Sequence, residues 1–184
     1  LGVDDIGSRV GIYLTNSLEE GLPTPPDLFS FGLADAVTHE AQEAAHIKSE
    51  RPIMVVIGNP PYSIMSSNLG PAQRRLVDKY KYIDGVKIKE KGALRLEMNL
   101  NDDYVKFIAM AEDLIANNGE GILAYINNNN WLDAISFRGM RYELCRNFDD
   151  IYILNLHGDS DENIFDIKKS VCINIFVRKQ DGPK

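Results

Sequence analysis

The sequence predicts an α/β fold built on a mainly parallel sheet. Strand and helix signals alternate along the chain, the order that lays helices over parallel strands. One strand carries the continuous apolar run Ile53-Met54-Val55-Val56-Ile57, the signature of burial on both faces. At 184 residues, with 44% hydrophobic and 26% charged residues, the chain is of single-domain size and able to bury a core, which excludes a disordered or fibrous protein.

The elements follow in order. Residues 10–15 read as a short strand, 22–27 as a Pro-rich loop and about 33–49 as a helix. Residues 52–58 are the buried strand. Residues 63–100 are polar, rich in Tyr and Lys, and too long for a plain connection in a compact domain. Tyr104, Phe107, Ile108, Ala111, Leu114 and Ile115 then fall at helical spacing; Asp102 and Asp103 suit the start of that helix, and Asn117, Asn118 and Gly119 its end. A strand at 121–126, a helix at about 136–148 and a strand at 151–156 follow. In the last strand, 171–177, Val171, Ile173, Ile175 and Val177 alternate with Cys172, Asn174 and Phe176. There are no repeats, and the four asparagines 127–130 are the single low-complexity run.

Charge and cysteine usage narrow the class. Twenty Lys+Arg against 27 Asp+Glu give a net charge of −7, unfavourable overall for DNA. Residues 73–95 run against that balance. Arg74, Arg75, Lys79, Lys81, Lys87, Lys89, Lys91 and Arg95 outnumber Asp78, Asp84 and Glu90 there, with Tyr80 and Tyr82 interleaved. Such a segment fits phosphate contact, and equally a solvated surface insertion. Cys145 and Cys172 make no disulfide framework and no CxxC pair, and both read as small buried residues in a reducing compartment. His39 and His46 share a helix face, but no further ligands converge on them and no metal is expected. No segment has the apolar length of a membrane span or the pattern of a secretory leader, so a cytoplasmic chain without membrane contact is expected. The first residue, Leu1, suggests a piece of a longer protein.

The motif that carries chemistry closes the buried strand: Gly58-Asn59-Pro60-Pro61-Tyr62. In an open α/β sheet, ligands bind beyond the carboxyl ends of strands, where this segment lies. Two prolines stiffen the loop and remove two backbone donors, leaving carbonyl acceptors. Asn59 adds a side-chain carbonyl and Tyr62 an aromatic face. Together they suit a planar group bearing an NH₂; the plainer reading is a rigid turn with a packed tyrosine.

Asn-Pro-Pro-Tyr after an apolar strand resembles the catalytic motif of amino-group methyltransferases that use S-adenosylmethionine, among them DNA adenine-N6 and protein glutamine-N5 enzymes. Further blocks follow in order: Asp103-Tyr104-Val105-Lys106-Phe107-Ile108, Gly121-Ile122-Leu123-Ala124-Tyr125-Ile126, Phe137-Arg138-Gly139-Met140-Arg141, Ile151-Tyr152-Ile153-Leu154-Asn155-Leu156-His157-Gly158 and Glu162-Asn163-Ile164-Phe165-Asp166-Ile167. With them, roughly residues 10–179 resemble the methyltransferase region of single-polypeptide restriction-modification enzymes of the type ISP and type IIG kind.

The resemblance implies a Rossmann-like, doubly wound methyltransferase fold over residues 1–184, with the basic and aromatic insertion at about 63–100. It implies methyl transfer from S-adenosylmethionine to adenine N6 of a base flipped from double-stranded DNA. Asn59 and the Pro60 carbonyl would accept from the amino group, and Tyr62 would stack on the base. Phe165 matches the family's second aromatic, or is a core phenylalanine. Asn16, Asn59 and Pro61 would line the cofactor site, Asn16 in place of the more usual Asp. The asparagines before Trp131-Leu132 would line the cofactor or base pocket, or form a plain polar loop. Nuclease, helicase and target-recognition domains of a larger parent are the implied partners. The family's first strands and Gly-rich cofactor loop have no counterpart here, so the piece is expected to bind the cofactor poorly, with residues 1–25 lacking native neighbours. A protein glutamine-N5 methyltransferase and a non-catalytic structural or DNA-contacting module are the alternatives.

Overall fold

The computed structural model describes residues 11–18, 33–61, 66, 68–89, 93–156 and 170–180, without the side chains of 33–36 and 93–95. The chain divides into two compact units, Leu1–Arg51 and Pro52–Lys184. In the first, helix α1 spans Leu33–Glu50, with His39 beside Glu43 at 3.8 Å and His46 beside Glu50 at 2.9 Å. The strand expected at 10–15 is not formed over its described residues, 11–15. A strand needs a neighbouring backbone to receive its N–H and C=O groups. Here side chains take that part: Leu14 N–H donates to the Glu40 carboxylate at 2.6 Å, and Lys48 Nζ to the Ser17 carbonyl at 3.1 Å.

The second unit is built on a four-stranded sheet of β1 (Val55–Gly58), β4 (Gly121–Asn128), β5 (Asp150–Asn155) and β6 (Val171–Arg178), in the order β1-β4-β6-β5. β1 runs parallel to β4, from Val55 opposite Ile122 to Gly58 opposite Tyr125. β6 lies antiparallel between β4 and β5. The expectation of a mainly parallel sheet is therefore corrected. β1, β4 and β5 share a direction, but the strand that follows β5 in the chain pairs directly back along it. Parallel neighbours would have required a crossover instead.

One face of the sheet is covered by α4 (Asp103–Asn118) and α6 (Arg138–Asn147). Tyr104, Val105, Ile108 and Ile115 of α4, with Met140 and Leu144 of α6, pack into one core with Leu123, Tyr125 and Phe176. α4 ends as its sequence dictates: Gly119 adopts φ 87°, and its N–H closes the helix on the Ile115 and Ala116 carbonyls. Asp102 takes the N-cap position with extended backbone, yet its side chain makes no capping bond.

Residues 63–100 are more structured than a plain insertion. They include α2 (Pro71–Leu76), a 3₁₀ turn (Asp78–Lys81), a hairpin of β2 (Tyr82–Ile83) and β3 (Val86–Lys87), and α3 (Ala93–Leu100). Asp84 and Gly85 both have positive φ, 48° and 75°, as a two-residue hairpin turn requires. The segment is bolted to the core. Tyr80 is fully buried and donates to Glu112 at 2.7 Å, and Lys79 pairs with Glu112 and Asp113 at 2.9 and 2.6 Å. Gly139 makes the seat, since a Cβ there would lie 2.0 Å from the Tyr80 carbonyl oxygen. A short helix, α5 (Asn130–Asp133), and a 3₁₀ turn (Ile135–Phe137) link β4 to α6.

Cys172 is buried as expected, and burial pushes its thiol pKa up; Cys145 is exposed, contrary to expectation. It lies one position beyond the buried Leu144, on the outer side of α6. Among the described residues no helix is long and apolar enough to cross a membrane.

Candidate active site

Asn59, Pro60 and Pro61 leave the carboxyl end of β1, beside β4. Gly58 lets the exit pass close to β4: a Cβ there would stand 3.2 Å from the Tyr125 ring, which would have to give by a few tenths of an ångström. Asn59 is exposed, Pro60 is buried and anchors the turn, and Pro61 is exposed again. With no N–H at either proline, this strand end offers acceptors: the Asn59 amide oxygen and main-chain carbonyls. Tyr62 and Phe165 lie outside the described residues. Asn16 belongs to the first unit, exposed in a turn where its Oδ1 accepts the Leu18 N–H at 3.1 Å. Of the residues singled out in the sequence, the described structure thus brings together Asn59, Pro60 and Pro61.

The asparagine run at the end of β4 divides its labour. Asn127 is buried and structural: it accepts from Asn174 Nδ2 at 2.6 Å and donates to the Asn128 carbonyl at 2.8 Å. Asn128 Oδ1 receives the Asn130 N–H at 2.8 Å, and Asn129 reaches β5 through Asn155 at 3.0 Å. Asn128 and Asn130 also line a cleft of about 480 Å³ with Asn99, Asp102, Tyr104, Ser136 and Phe137. That volume is within the range of small-molecule sites. Among the described residues its lining is polar and uncharged apart from Asp102, with apolar Met98, Ala134, Ile135 and Phe137. The buried Tyr104 hydroxyl and Asn101 Oδ1 have no hydrogen-bond partner among the described residues. Burial first, then the nearby Asp102 carboxylate, raises the Tyr104 pKa well above the usual phenol value.

Sequence reasoning missed a polar cluster just downstream of the prolines. Lys106 on α4 is fully buried, and its Nζ donates to Ser66 Oγ and to the Asn68 carbonyl, both at 2.7 Å. Ser66 Oγ donates to Asp103 Oδ1 at 2.5 Å, and Asn68 Nδ2 donates to the same oxygen at 3.0 Å. A signal was present: one lysine interrupts the apolar run Tyr104-Val105-Lys106-Phe107-Ile108-Ala109, and a buried lysine requires partners.

The basic segment separates into two groups. Lys79 and Lys81 are held in ion pairs, Lys81 with Asp78 and Glu97, each at 2.9 Å. Arg74, Arg75, Lys87 and Lys89 are exposed. The side chains of Lys91 and Arg95 lie outside the described residues.

Comparison with known proteins puts this arrangement in context. No match is found among the curated proteins. Solved structures do match. The ATP-dependent type ISP restriction-modification enzyme LlaBIII bound to DNA aligns over 94% of the chain at 28% identity and a TM-score of 0.67. A nuclease-deletion mutant of the type ISP restriction-modification enzyme LlaGI, in complex with a DNA substrate mimic, aligns over 80% at 27% identity and 0.63. The DrdV–DNA complex aligns over 77% at 29% identity and 0.60. The chain spans 12% of the length of the first and 15% of each of the others. Residues 29–165 match the Eco57I restriction-modification methylase family, a span that takes in α1, the Asn59-Pro60-Pro61 strand end and the asparagine-lined cleft, and the chain belongs to that family.

Proposed function

We propose that this chain is the methyl-transferring part of a restriction-modification enzyme, acting on adenine N6 in double-stranded DNA with S-adenosylmethionine as donor. The observation that carries the reading is Asn59-Pro60-Pro61 at the carboxyl end of β1 in a member of a methylase family. The exposed Asn59 amide and the donor-free proline backbone fit an exocyclic amino group, which brings two hydrogens and needs two acceptors. When bound, S-adenosylmethionine supplies an electrophilic methyl group on a sulfonium. Asn59 and Pro61 are the residues that would hold it.

The chain's own work is positioning. Asn59 Oδ1 and the Pro60 carbonyl accept the two amino hydrogens, draw the nitrogen toward sp³ geometry and aim its lone pair. Tyr62 stacks on the flipped base and offsets part of the unstacking cost, with Phe165 as the second aromatic. The cleft lined by Asn128 and Asn130, at the end of the strand that pairs with β1, takes polar parts of base or cofactor. Phosphate contact falls to Arg74, Arg75, Lys87 and Lys89 rather than to Lys79 and Lys81, whose charges are already matched. In this reading the chain works within a longer polypeptide that adds nuclease, helicase and target recognition.

The test is incorporation of labelled methyl from S-adenosylmethionine into adenine-containing duplex DNA by the parent polypeptide. Asn59→Ala is expected to lower the rate at least 100-fold while DNA binding persists. An unchanged rate removes Asn59 from the chemistry, and label in protein glutamine rather than DNA changes the substrate.

A further inference from the structure

We propose that Lys106 is a positioning residue for Asn59, Pro60 and Pro61, its buried ammonium holding the chain that follows them, at Ser66 and Asn68, to the first turn of α4. The proposal rests on the function proposed for Asn59.

The loop has two ends. Its incoming end is fixed by the pairing of β1 with β4, up to Gly58 opposite Tyr125. Its outgoing end reaches Ser66 five residues after Pro61. There the backbone and side chains of Ser66 and Asn68 are held by Lys106 and Asp103, one helical turn apart on α4. The chain that carries Asn59 is thus held before it by strand pairing and after it at Ser66 and Asn68.

The bonding at the clamp is saturated in one sense only. Ser66 Oγ gives its single proton to Asp103 and accepts from Lys106 Nζ and from the Asn68 N–H, the latter at 3.0 Å. A hydroxyl has one proton and two lone pairs, so all three are used. Asp103 Oδ1 takes Ser66 and Asn68, and stands 3.9 Å from Lys106 Nζ. Lys106 spends two protons on Ser66 and on the Asn68 carbonyl. The arrangement works with lysine as the cation and aspartate as the anion.

A buried charge is unfavourable unless it is paired and hydrogen-bonded, and Lys106 is both. What this one adds is direction: two charge-assisted bonds aimed at a loop 38 and 40 residues away in sequence. Burial pushes the Lys106 pKa down, opposed by Asp103 and Asp102 and reinforced by Arg74 of α2.

Displacement of Asn59 and Pro61 by a fraction of an ångström reduces turnover and, because both are assigned to the donor site, weakens donor binding with it. The test is Lys106→Met in the parent polypeptide, which leaves Asp103 still bonded by Ser66 and Asn68. Ser66→Ala is the milder second variant, and Asn59→Ala the reference. The expected result is a kcat for DNA methylation at least 10-fold lower for Lys106→Met and 3- to 10-fold lower for Ser66→Ala, with KM for S-adenosylmethionine raised at least 3-fold for Lys106→Met, which a smaller folded fraction alone would not do. The deficit must persist at temperatures well below each variant's melting point. A kcat within 2-fold of the parent, or a deficit that vanishes on cooling, overturns the clamp. Should Lys106→Met fail to fold, Ser66→Ala decides on the same criteria. A fully active Asn59→Ala overturns the assignment of the loop itself, and this outcome is distinct from a silent Lys106→Met beside an inactive Asn59→Ala.

Discussion

The two faces of the four-stranded sheet are written in similar residues and end in different environments. On one face Leu123, Tyr125 and Phe176 lie beneath α4 and α6, and Leu123 is 0% exposed. One residue along each strand, the side chains turn to the other face, and there Ile57 is 79% exposed, Leu154 58% and Ile122 38%. The covered face even holds the more polar residues, with Asn127 and Asn174 bonded to each other. Apolar character thus shows which residues favour burial, and the placement of helices decides which receive it. The continuous run in β1 fits a strand covered on both sides; among the described residues only Val56 of β1 packs toward the core.

Replacing adjacent residues of one strand is the strongest way to break this contrast. Leu123→Ala is expected to cost about 2–5 kcal/mol, because it removes fully buried methyl groups and leaves a cavity. Ile122→Ala, one position away on the open face, should cost less, about 1–2 kcal/mol, since its side chain is already 38% exposed. Denaturant midpoints of the two variants measure the difference, and equal losses would mean that both faces are packed.

Alkaline titration sharpens the same contrast. Burial alone pushes the Tyr125 pKa up to about 12. Below pH 10 the phenol is protonated in both folded and unfolded chains, so its contribution is full there. Between pH 10 and 12 only the unfolded chain releases the proton, and stability falls by about 2–3 kcal/mol over that window. Tyr125→Phe should flatten this share of the loss in thermal melts taken across the window. Tyr80 and Tyr104, also raised by burial, keep part of the slope. The smallest effect belongs to the open face: Ile57→Ser should change unfolding free energy by no more than about 0.5 kcal/mol, and a larger loss would reveal hidden packing there.

What the sequence displays and what it conceals divide by distance along the chain. α4 was legible from its apolar spacing and from Gly119, both local signals, and the strand end at Asn59 was legible from its prolines. The reversed direction of β6 was not, because alternation along Val171–Arg178 is the same whether its neighbours run parallel or antiparallel. The expected strand at 10–15 illustrates the converse: local β propensity without a pairing neighbour leaves the backbone to the Glu40 carboxylate. Residues 63–100 looked like a solvated insertion because Lys79 and Tyr80 find Glu112 more than thirty residues away. Lys106 was hidden for the same reason, its partners lying in the loop beyond the prolines.

The place of β1 in the sheet has a dynamic consequence. Among the described residues it pairs on one side only, through four residues, whereas β6 is held on both sides along most of its length. Local opening begins where the fewest bonds must break together. In this chain the amides of β1 are expected to exchange with solvent water ahead of those of β6. Beyond the strand, the bonds of Lys106 and Asp103 to Ser66 and Asn68 give the chain a second hold.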